Sequence, residues 1–268
     1  MQEAKGAELR EAANCGEFMF EVFAIDDERA KSESKLTTTK ELMDQLEGNP
    51  EYVARLAARQ AAREQRTKEL QAAMAGVVDE LRQAGFGVES VDQLRREVRT
   101  YRGAMEILVR WLPLVRELEA KESIVRALSV PWGGQRTAEA LVTEFLAAPT
   151  EGPHAASLKW AIGNGLEITA EMSMVQSLCD LAVDPAHGQS REMIVVALGK
   201  MPCAQAEATL VQLLHDAELD GFAATSLARL NVDRYRTLLE RFTKHPLAWV
   251  RKEMTKLLRP RSQEQQGR

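Results

Sequence analysis

Histidine and cysteine are the residues of this sequence whose chemistry depends most on spacing. The three cysteines, Cys15, Cys179 and Cys203, are widely separated and form no CxxC or Cys/His ligand pattern. A reduced, cytoplasmic protein is the simplest interpretation, with Cys179 as a small core residue of an apolar helix. The four histidines all fall at predicted turns or helix ends, where capping roles are expected: His154, His187, His215 and His245.

Motifs for catalysis or cofactor binding are missing from the sequence. It contains no GxGxxG, no GxxxxGK[ST] and no HExxH, and no nucleophile has a base at a suitable spacing. Carboxylates are numerous but scattered over positions predicted to face solvent, so no converging pair is indicated. The sequence therefore predicts a non-enzymatic protein with no cofactor and no metal.

A short apolar pattern recurs along the second half of the chain. Anchored on Leu128, Ile162, Leu198, Leu227 and Leu257, it repeats at intervals of 34, 36, 29 and 30 residues. A second apolar helix pattern precedes each anchor, at residues 104–115, 138–146, 174–182, 208–214 and 235–242. One such helix pair cannot bury its apolar face alone, so successive pairs must stack, which predicts a solenoid.

Three segments resemble HEAT repeats: Lys159-Trp-Ala-Ile-Gly-Asn, the run from Arg191 to Met201, and His245-Pro-Leu-Ala-Trp-Val-Arg-Lys-Glu. The resemblance implies an all-α, right-handed solenoid of about five helix pairs over residues 101–259. Earlier segments are similar to the helical lead-in of bacterial HEAT-repeat proteins. HEAT-like iron hydroxylases bind metal through His-Glu dipeptides, and this sequence has none.

Four segments are predicted from composition and helix signals. Residues 1–35 form a flexible acidic leader with an apolar cluster at 18–25, which either docks weakly on the body or occupies a groove. Residues 36–100 form a helical extension, 101–259 the repeats and 260–268 a mobile tail. Helix starts are indicated by Thr38 with Glu41, Asn49-Pro50, and Ser90 with Gln93.

Charge is unevenly distributed along the chain. Residues 1–33 carry nine acids and four bases (−5), residues 137–228 twelve acids and three bases (−9), and residues 229–261 ten bases and three acids (+7). One helix face carries three arginines, Arg55, Arg59 and Arg63. We expect this face to be exposed to solvent and not to bind phosphate. No apolar run approaches the length of a membrane span, so no membrane partner is predicted.

Eight residues near the starts or exposed faces of the repeat helices are candidate partner contacts: Trp132, Trp160, Arg191, Glu192, Arg229, Trp249, Arg251 and Lys252. Trp132 either anchors a partner from its turn or packs over helix ends. Trp160 and Trp249 are either exposed contacts or interhelical core, and the charged candidates either bind or merely solvate the surface.

Two functions remain open at this point. One is a protein-interaction scaffold that uses the repeat surface. The other is nucleic-acid binding, resembling the HEAT-like alkylpurine DNA glycosylases, through the basic C-terminal repeats. Phosphate binding needs a continuous positive track, and the −9 segment would repel a backbone unless its acids all face away. The charge layout therefore favours a protein partner.

Overall fold

The computed structural model describes Met43 and residues 46–259. Contacts divide the chain into two compact units, Met1–Ala62 and Arg63–Arg268. The predicted leader, its apolar cluster, the Thr38 and Glu41 pair, Cys15 and the predicted tail lie outside the described residues.

The described chain is helical. It contains eleven α-helices and no strand, which confirms the all-α prediction for this part of the chain. The helices are α1 (Pro50–Gln83), α2 (Val91–Glu97), α3 (Met105–Trp111), α4 (Leu118–Leu128), α5 (Gly134–Ala147), α6 (Ala155–Thr169), α7 (Val175–Val183), α8 (Glu192–Leu198), α9 (Ala204–Leu213), α10 (Asp220–Leu239) and α11 (Ala248–Leu257). Short 3₁₀ segments lie at Arg102–Ala104, Met172–Met174, Pro185–Arg191 and Glu240–Lys244.

Local signals set the helix boundaries as the sequence predicts. Asn49 Oδ1 accepts hydrogen bonds from the backbone N–H of Glu51 (3.0 Å) and Tyr52 (3.3 Å), which caps α1. Ser90 Oγ accepts from Gln93 N at 3.0 Å and caps α2. Within α10 the backbone is extended at Asn231 (φ −162°, ψ 86°), so this segment consists of two consecutive helices joined between the anchor Leu227 and the predicted helix pattern at 235–242.

The helices contact one another in a regular order. With α10 divided at Asn231, the predicted pairs are α3/α4, α5/α6, α7/α8, α9 with the first part of α10, and the last part of α10 with α11. The second helix of each pair, called a second helix below, also contacts the second helix of the next pair. These contacts join α4 with α6, α6 with α8, α8 with α10, and α10 with α11. Four of the five anchor residues are fully buried, Leu128, Ile162, Leu198 and Leu227.

Glycines allow the second helices to approach closely. A Cβ on Gly163 would lie 3.2 Å from Met193 Cβ, and one on Gly221 would lie 2.5 Å from Val250 Cγ2. At Gly199 the added atom would lie 2.7 Å from Ser226 Cβ and 2.9 Å from its Cα. Real side chains do not make contacts as short as those at Gly199 and Gly221, and the contact at Gly163 is tighter than most. These three positions therefore limit the spacing between consecutive second helices.

The second half of α1 belongs to the same compact unit as the repeats. Val77 and Leu81 are fully buried in the core, and Glu80 accepts a hydrogen bond from Trp111 Nε1 at 2.6 Å. Arg66 forms ion pairs with Glu117 and Glu119. Residues 63–100, which include most of the predicted helical extension, therefore pack with the helices that follow them.

An unusual polar pair lies inside the repeats. Lys159 is 2% exposed, and its Nζ lies 3.1 Å from His187 Nδ1 and 5.1 Å from the Phe145 ring centroid. Because an ammonium group only donates, Nδ1 must accept and the neutral imidazole carries its proton on Nε2. Burial and the charge of Lys159 lower the pKa of His187, with Arg191 adding to them and Asp184 opposing them.

We expect Gly199→Ala to lower the free energy of unfolding by about 1–3 kcal/mol, because the new methyl group overlaps Ser226 and forces two helices apart. Urea unfolding followed by circular dichroism measures this. The matched control is Gly87→Ala, where the added Cβ meets nothing within 4 Å. Equal stability of the two variants would contradict the close contact.

Stability should fall as the pH drops below about 6.5, the ordinary pKa of histidine. Since the pKa of His187 is lowered in the fold, its imidazole binds a proton in the unfolded chain at pH values at which it stays neutral in the folded chain. For a single group the loss is at most about 1.4 kcal/mol for each pH unit in this window. His187→Gln keeps an acceptor for Lys159 and should flatten this part of the stability–pH profile, whereas His154→Gln, at an exposed site, should not. An unchanged profile in His187→Gln would contradict the assignment.

Candidate binding groove

One face of α11 combines an aromatic side chain with two lysines. Trp249, Lys252 and Lys256 recur at helical spacing along this face, while Val250 and Met254 point into the core and are fully buried. The buried stripe therefore fixes the orientation of α11 and holds the other three side chains toward solvent.

The facing wall comes from α10 and α8. Phe222, Thr225 and Arg229 follow each other along one face of α10 at the same kind of spacing, and Val196 of α8 completes the wall. Together the helices enclose an open groove of about 730 Å³. Its lining consists of Val196, Phe222, Thr225, Arg229, Trp249, Lys252, Glu253, Lys256 and Arg259.

The groove has an aromatic end. The rings of Phe222 and Trp249 lie with centroids 4.9 Å apart and planes tilted by 50°. The close approach at Gly221 places the indole of Trp249 against the start of α10, with two ring carbons 3.4 Å from where a Cβ would stand. Trp249 nevertheless remains 41% exposed. A partly exposed, laterally supported indole is a preorganised apolar contact surface.

The other end of the groove is cationic. Glu253 Oε1 lies 3.9 Å from Arg229 Nη2, and its Oε2 lies 3.9 Å from Lys256 Nζ. With Lys252 and Arg259, the lining holds four cations and one carboxylate, a net charge of +3. The two ion pairs are long and solvent-exposed, so each contributes at most about 1 kcal/mol and leaves its cation accessible.

The groups that line the groove are better suited to binding a ligand than to catalysing a reaction. Guanidinium and ammonium groups bind carboxylates or phosphates, and the indole and phenyl faces accept a flat or aliphatic group. The hydroxyl of Thr225 donates to Gly221 O at 2.7 Å inside its own helix, so it is not held as a nucleophile. The groove can therefore recognise an anion that carries an apolar group.

Arg191 requires a correction, because it lies in the interior and not on a binding surface. Its side chain is 3% exposed and pairs with Asp216 at 2.9 Å and with Glu218 at 3.3 Å. Its guanidinium also donates to the carbonyl oxygens of Gly188 (2.8 Å) and Ala182 (3.2 Å). With these acceptors Arg191 joins α7, the following 3₁₀ segment and the turn after α9.

Two further candidates also serve the fold. Arg251 Nη1 donates to the carbonyl oxygens of His245 and Pro246, both at 2.6 Å, and so closes the turn before α11. Glu192 is half-buried, and burial together with the neighbouring Glu218 raises the pKa of its carboxyl. Neither side chain lines the groove.

The remaining tryptophans differ from each other. Trp132 is half-buried and packs edge-on against Tyr101, with centroids 4.9 Å apart, while the Arg102 guanidinium lies 5.5 Å from its ring. Of its two interpretations, packing over helix ends is the one the structure shows. Trp160 on α6 is 47% exposed, so it is a surface residue and not interhelical core.

The four histidines occupy the turns and helix ends that the sequence predicts. His187 contacts Lys159, and His245 Nε2 lies 3.1 Å from Asp220 Oδ1. Within residues 46–259 no three His, Cys, Asp or Glu side chains are arranged to hold a metal ion. Among the helices of this range, none combines the length and the apolar character needed to cross a membrane.

A second crevice, of about 550 Å³, lies beside α1, α2 and α4. Its apolar floor includes Leu70, Met74 and Val78, and acidic side chains line its rim. Arginines pair with three of these acids: Arg66 with Glu119, Arg82 with Asp79, and Arg95 with Asp92. Its lining holds four carboxylates and one cation, so its charge is opposite in sign to that of the groove.

Comparison of the chain with protein-family models, curated proteins and solved structures gave no match. The resemblance to HEAT repeats therefore stays a prediction from the sequence.

Six of the nine lining residues were not among the candidates from the sequence: Val196, Phe222, Thr225, Glu253, Lys256 and Arg259. The spacing of Trp249, Lys252 and Lys256 over two turns was the available signal for Lys256, since it marks one face of a helix. Phe222 and Arg229 carry the same signal on α10. That the two faces meet follows from packing between helices, which spacing within one helix does not show.

Arg191→Met should destabilise the protein by about 3–5 kcal/mol, because Asp216 would be left partly buried without its cation. The matched control, Arg229→Met, removes only an exposed pair and should cost less than about 1 kcal/mol. Thermal and urea unfolding compare the two variants. Similar small losses in both would contradict the structural role given to Arg191.

Proposed function

We propose that the chain is a non-enzymatic protein-interaction module of the HEAT-repeat kind, acting in the cytoplasm. In this proposal the five helix pairs stack as a right-handed α-solenoid, and a protein partner binds through the groove between α8, α10 and α11. The groove, with its exposed indole and accessible cations, is the observation that carries the proposal.

The order in which the helices contact one another supports the solenoid. The second helix of each pair contacts the second helix of the next pair, from α4 through α6, α8 and α10 to α11. The contacts thus run between neighbours in sequence, as in repeat arrays. Ion pairs also join helices of neighbouring pairs. Lys121 of α4 pairs with Glu144 of α5, and Lys200 at the end of α8 pairs with Glu167 of α6.

The groove supports protein binding through its mixture of groups. Protein interfaces are enriched in Trp and Arg, and their strongest contacts combine an apolar anchor with surrounding polar groups. Trp249 supplies such an anchor, and Arg229, Lys252 and Lys256 surround it. The volume of about 730 Å³ suffices for a few side chains of a partner.

Nucleic-acid binding is the second candidate, favoured by the same cations and by an indole on which a base could stack. One objection to it weakens in the structure. Two acids of the −9 segment pair with cations that lie outside it, Glu144 with Lys121 and Glu207 with Arg234. The segment therefore repels a phosphate backbone less than its formal charge of −9 implies.

Continuity of positive charge still favours a protein partner. Outside the groove, two cations on the neighbouring second helices carry carboxylate partners, Arg126 with Glu122 on α4 and Lys200 of the α8 end with Glu167 on α6. Trp160 is the exposed aromatic residue of α6. Phosphate affinity grows with each phosphate neutralised, and these ion pairs interrupt the positive track that an extended backbone would follow beyond the groove.

The proposal is tested by affinity capture from the native host with matched charge variants. Lys252→Glu/Lys256→Glu reverses two groove lysines, and Lys68→Glu/Lys244→Glu makes the same change at exposed lysines outside it. We expect a stoichiometric protein, identified by mass spectrometry, that the wild type and the control retain and the groove variant loses. Stoichiometric capture unaffected by the groove variant, or recovery of nucleic acid in place of protein, would reject the proposed function.

A further inference from the structure

We infer that the groove binds an acidic peptide segment, in which carboxylates lie about three residues from an aromatic or large aliphatic side chain. This inference rests on the proposed function and adds the chemistry of the partner. It follows from the way apolar and charged groups are separated along the groove.

Both long walls of the groove are aromatic at one end and cationic at the other. Phe222 and Trp249 lie in the first turns of α10 and α11, where their rings contact each other. Arg229 and Lys256 each follow seven residues later, and both approach Glu253 at 3.9 Å. The helices therefore run in the same direction here, with aromatic groups at the start and cations further along.

The distance between these ends sets the spacing in a ligand. Seven residues of α-helix span about 10 Å. An extended peptide covers that distance in about three residues, at roughly 3.3 Å each. An apolar side chain seated on Trp249 would thus place carboxylates three positions away beside Arg229, Lys256 and Arg259. Lys252 lies midway and can hold an acid between them.

The cations of the groove are available to such a ligand. Among the described residues, neither Lys252 nor Arg259 forms an ion pair, while Arg229 and Lys256 share the single carboxylate Glu253. The side chains of Arg229 and Lys256 are 51% and 72% exposed. A ligand with two or three carboxylates would therefore balance the net charge of +3.

A peptide fits this arrangement better than a nucleic acid. Glu253 lies between Arg229 and Lys256 and interrupts the continuous positive track that a phosphate backbone requires. Separate carboxylates on an extended peptide can instead reach Arg229 and Arg259 from either side. The aromatic end further selects for a side chain held at a fixed distance from the charge.

Selection from a random library of peptides about twelve residues long tests the inference, because that length is enough to span the groove. The wild-type chain is the bait, and Lys252→Gln/Lys256→Gln is the counter-selection. We expect enriched peptides with Asp or Glu clustered about three positions from Phe, Trp, Tyr, Leu or Ile. Enrichment of neutral or basic peptides, or no enrichment that depends on the lysines, would overturn the inference.

Direct binding measurements then separate charge from apolar contact. Fluorescence anisotropy would compare one enriched peptide with its Asn/Gln counterpart and with a version whose aromatic residue is Ala. Each change should weaken binding at least about tenfold, a loss of about 1.4 kcal/mol. Trp249→Ala should remove the preference for the aromatic residue and keep the preference for acids. Trp160→Ala is the matched control and should change neither.

The remaining outcomes distinguish the inference from the proposed function. A host protein that depends on the groove but binds through a neutral or basic segment would overturn the inference and leave the proposed function standing. A single-stranded oligonucleotide of similar length that binds more tightly than the acidic peptide, and is lost in Lys252→Gln/Lys256→Gln, would overturn both.

Discussion

Close packing between consecutive second helices is the constraint on which the rest of the structure depends. Gly163, Gly199 and Gly221 lie where a side chain would collide with Met193, Ser226 and Val250 of the next helix. Their small size lets the helix backbones approach each other, and that approach fixes which side chains of each helix are buried and which remain exposed. The groove is a consequence, since the contact at Gly221 brings Phe222 beside Trp249.

Much of the secondary structure could be predicted because its signals are local. Apolar spacing within each helix predicted its existence, and Asn49, Ser90 and Asn231 marked boundaries through their own hydrogen-bonding side chains. Leu257 shows where the repeat argument weakens. It is half-buried, unlike the other four anchors, which are fully buried.

The roles of single side chains were much harder to predict, because they depend on partners distant in sequence. Arg191 directly precedes α8 and Arg229 lies in α10, yet one side chain is buried and the other half exposed. The difference comes from Asp216, which lies 25 residues beyond Arg191 and meets it only in the folded chain. Sequence shows the charge of each residue, whereas its availability depends on tertiary contacts.

The formal charges of the two halves of the repeats illustrate the same point and bear on recognition. Four of the ten bases in residues 229–261 bind acceptors of the protein itself: Arg234, Arg236, Arg241 and Arg251. Four others lie around one groove. What the sequence presents as a long basic segment is, at the surface of the described residues, a local cationic site beside an indole. Such a site is short and places an aromatic surface beside a few cations, which is the arrangement on which the proposed binding of an anionic peptide depends.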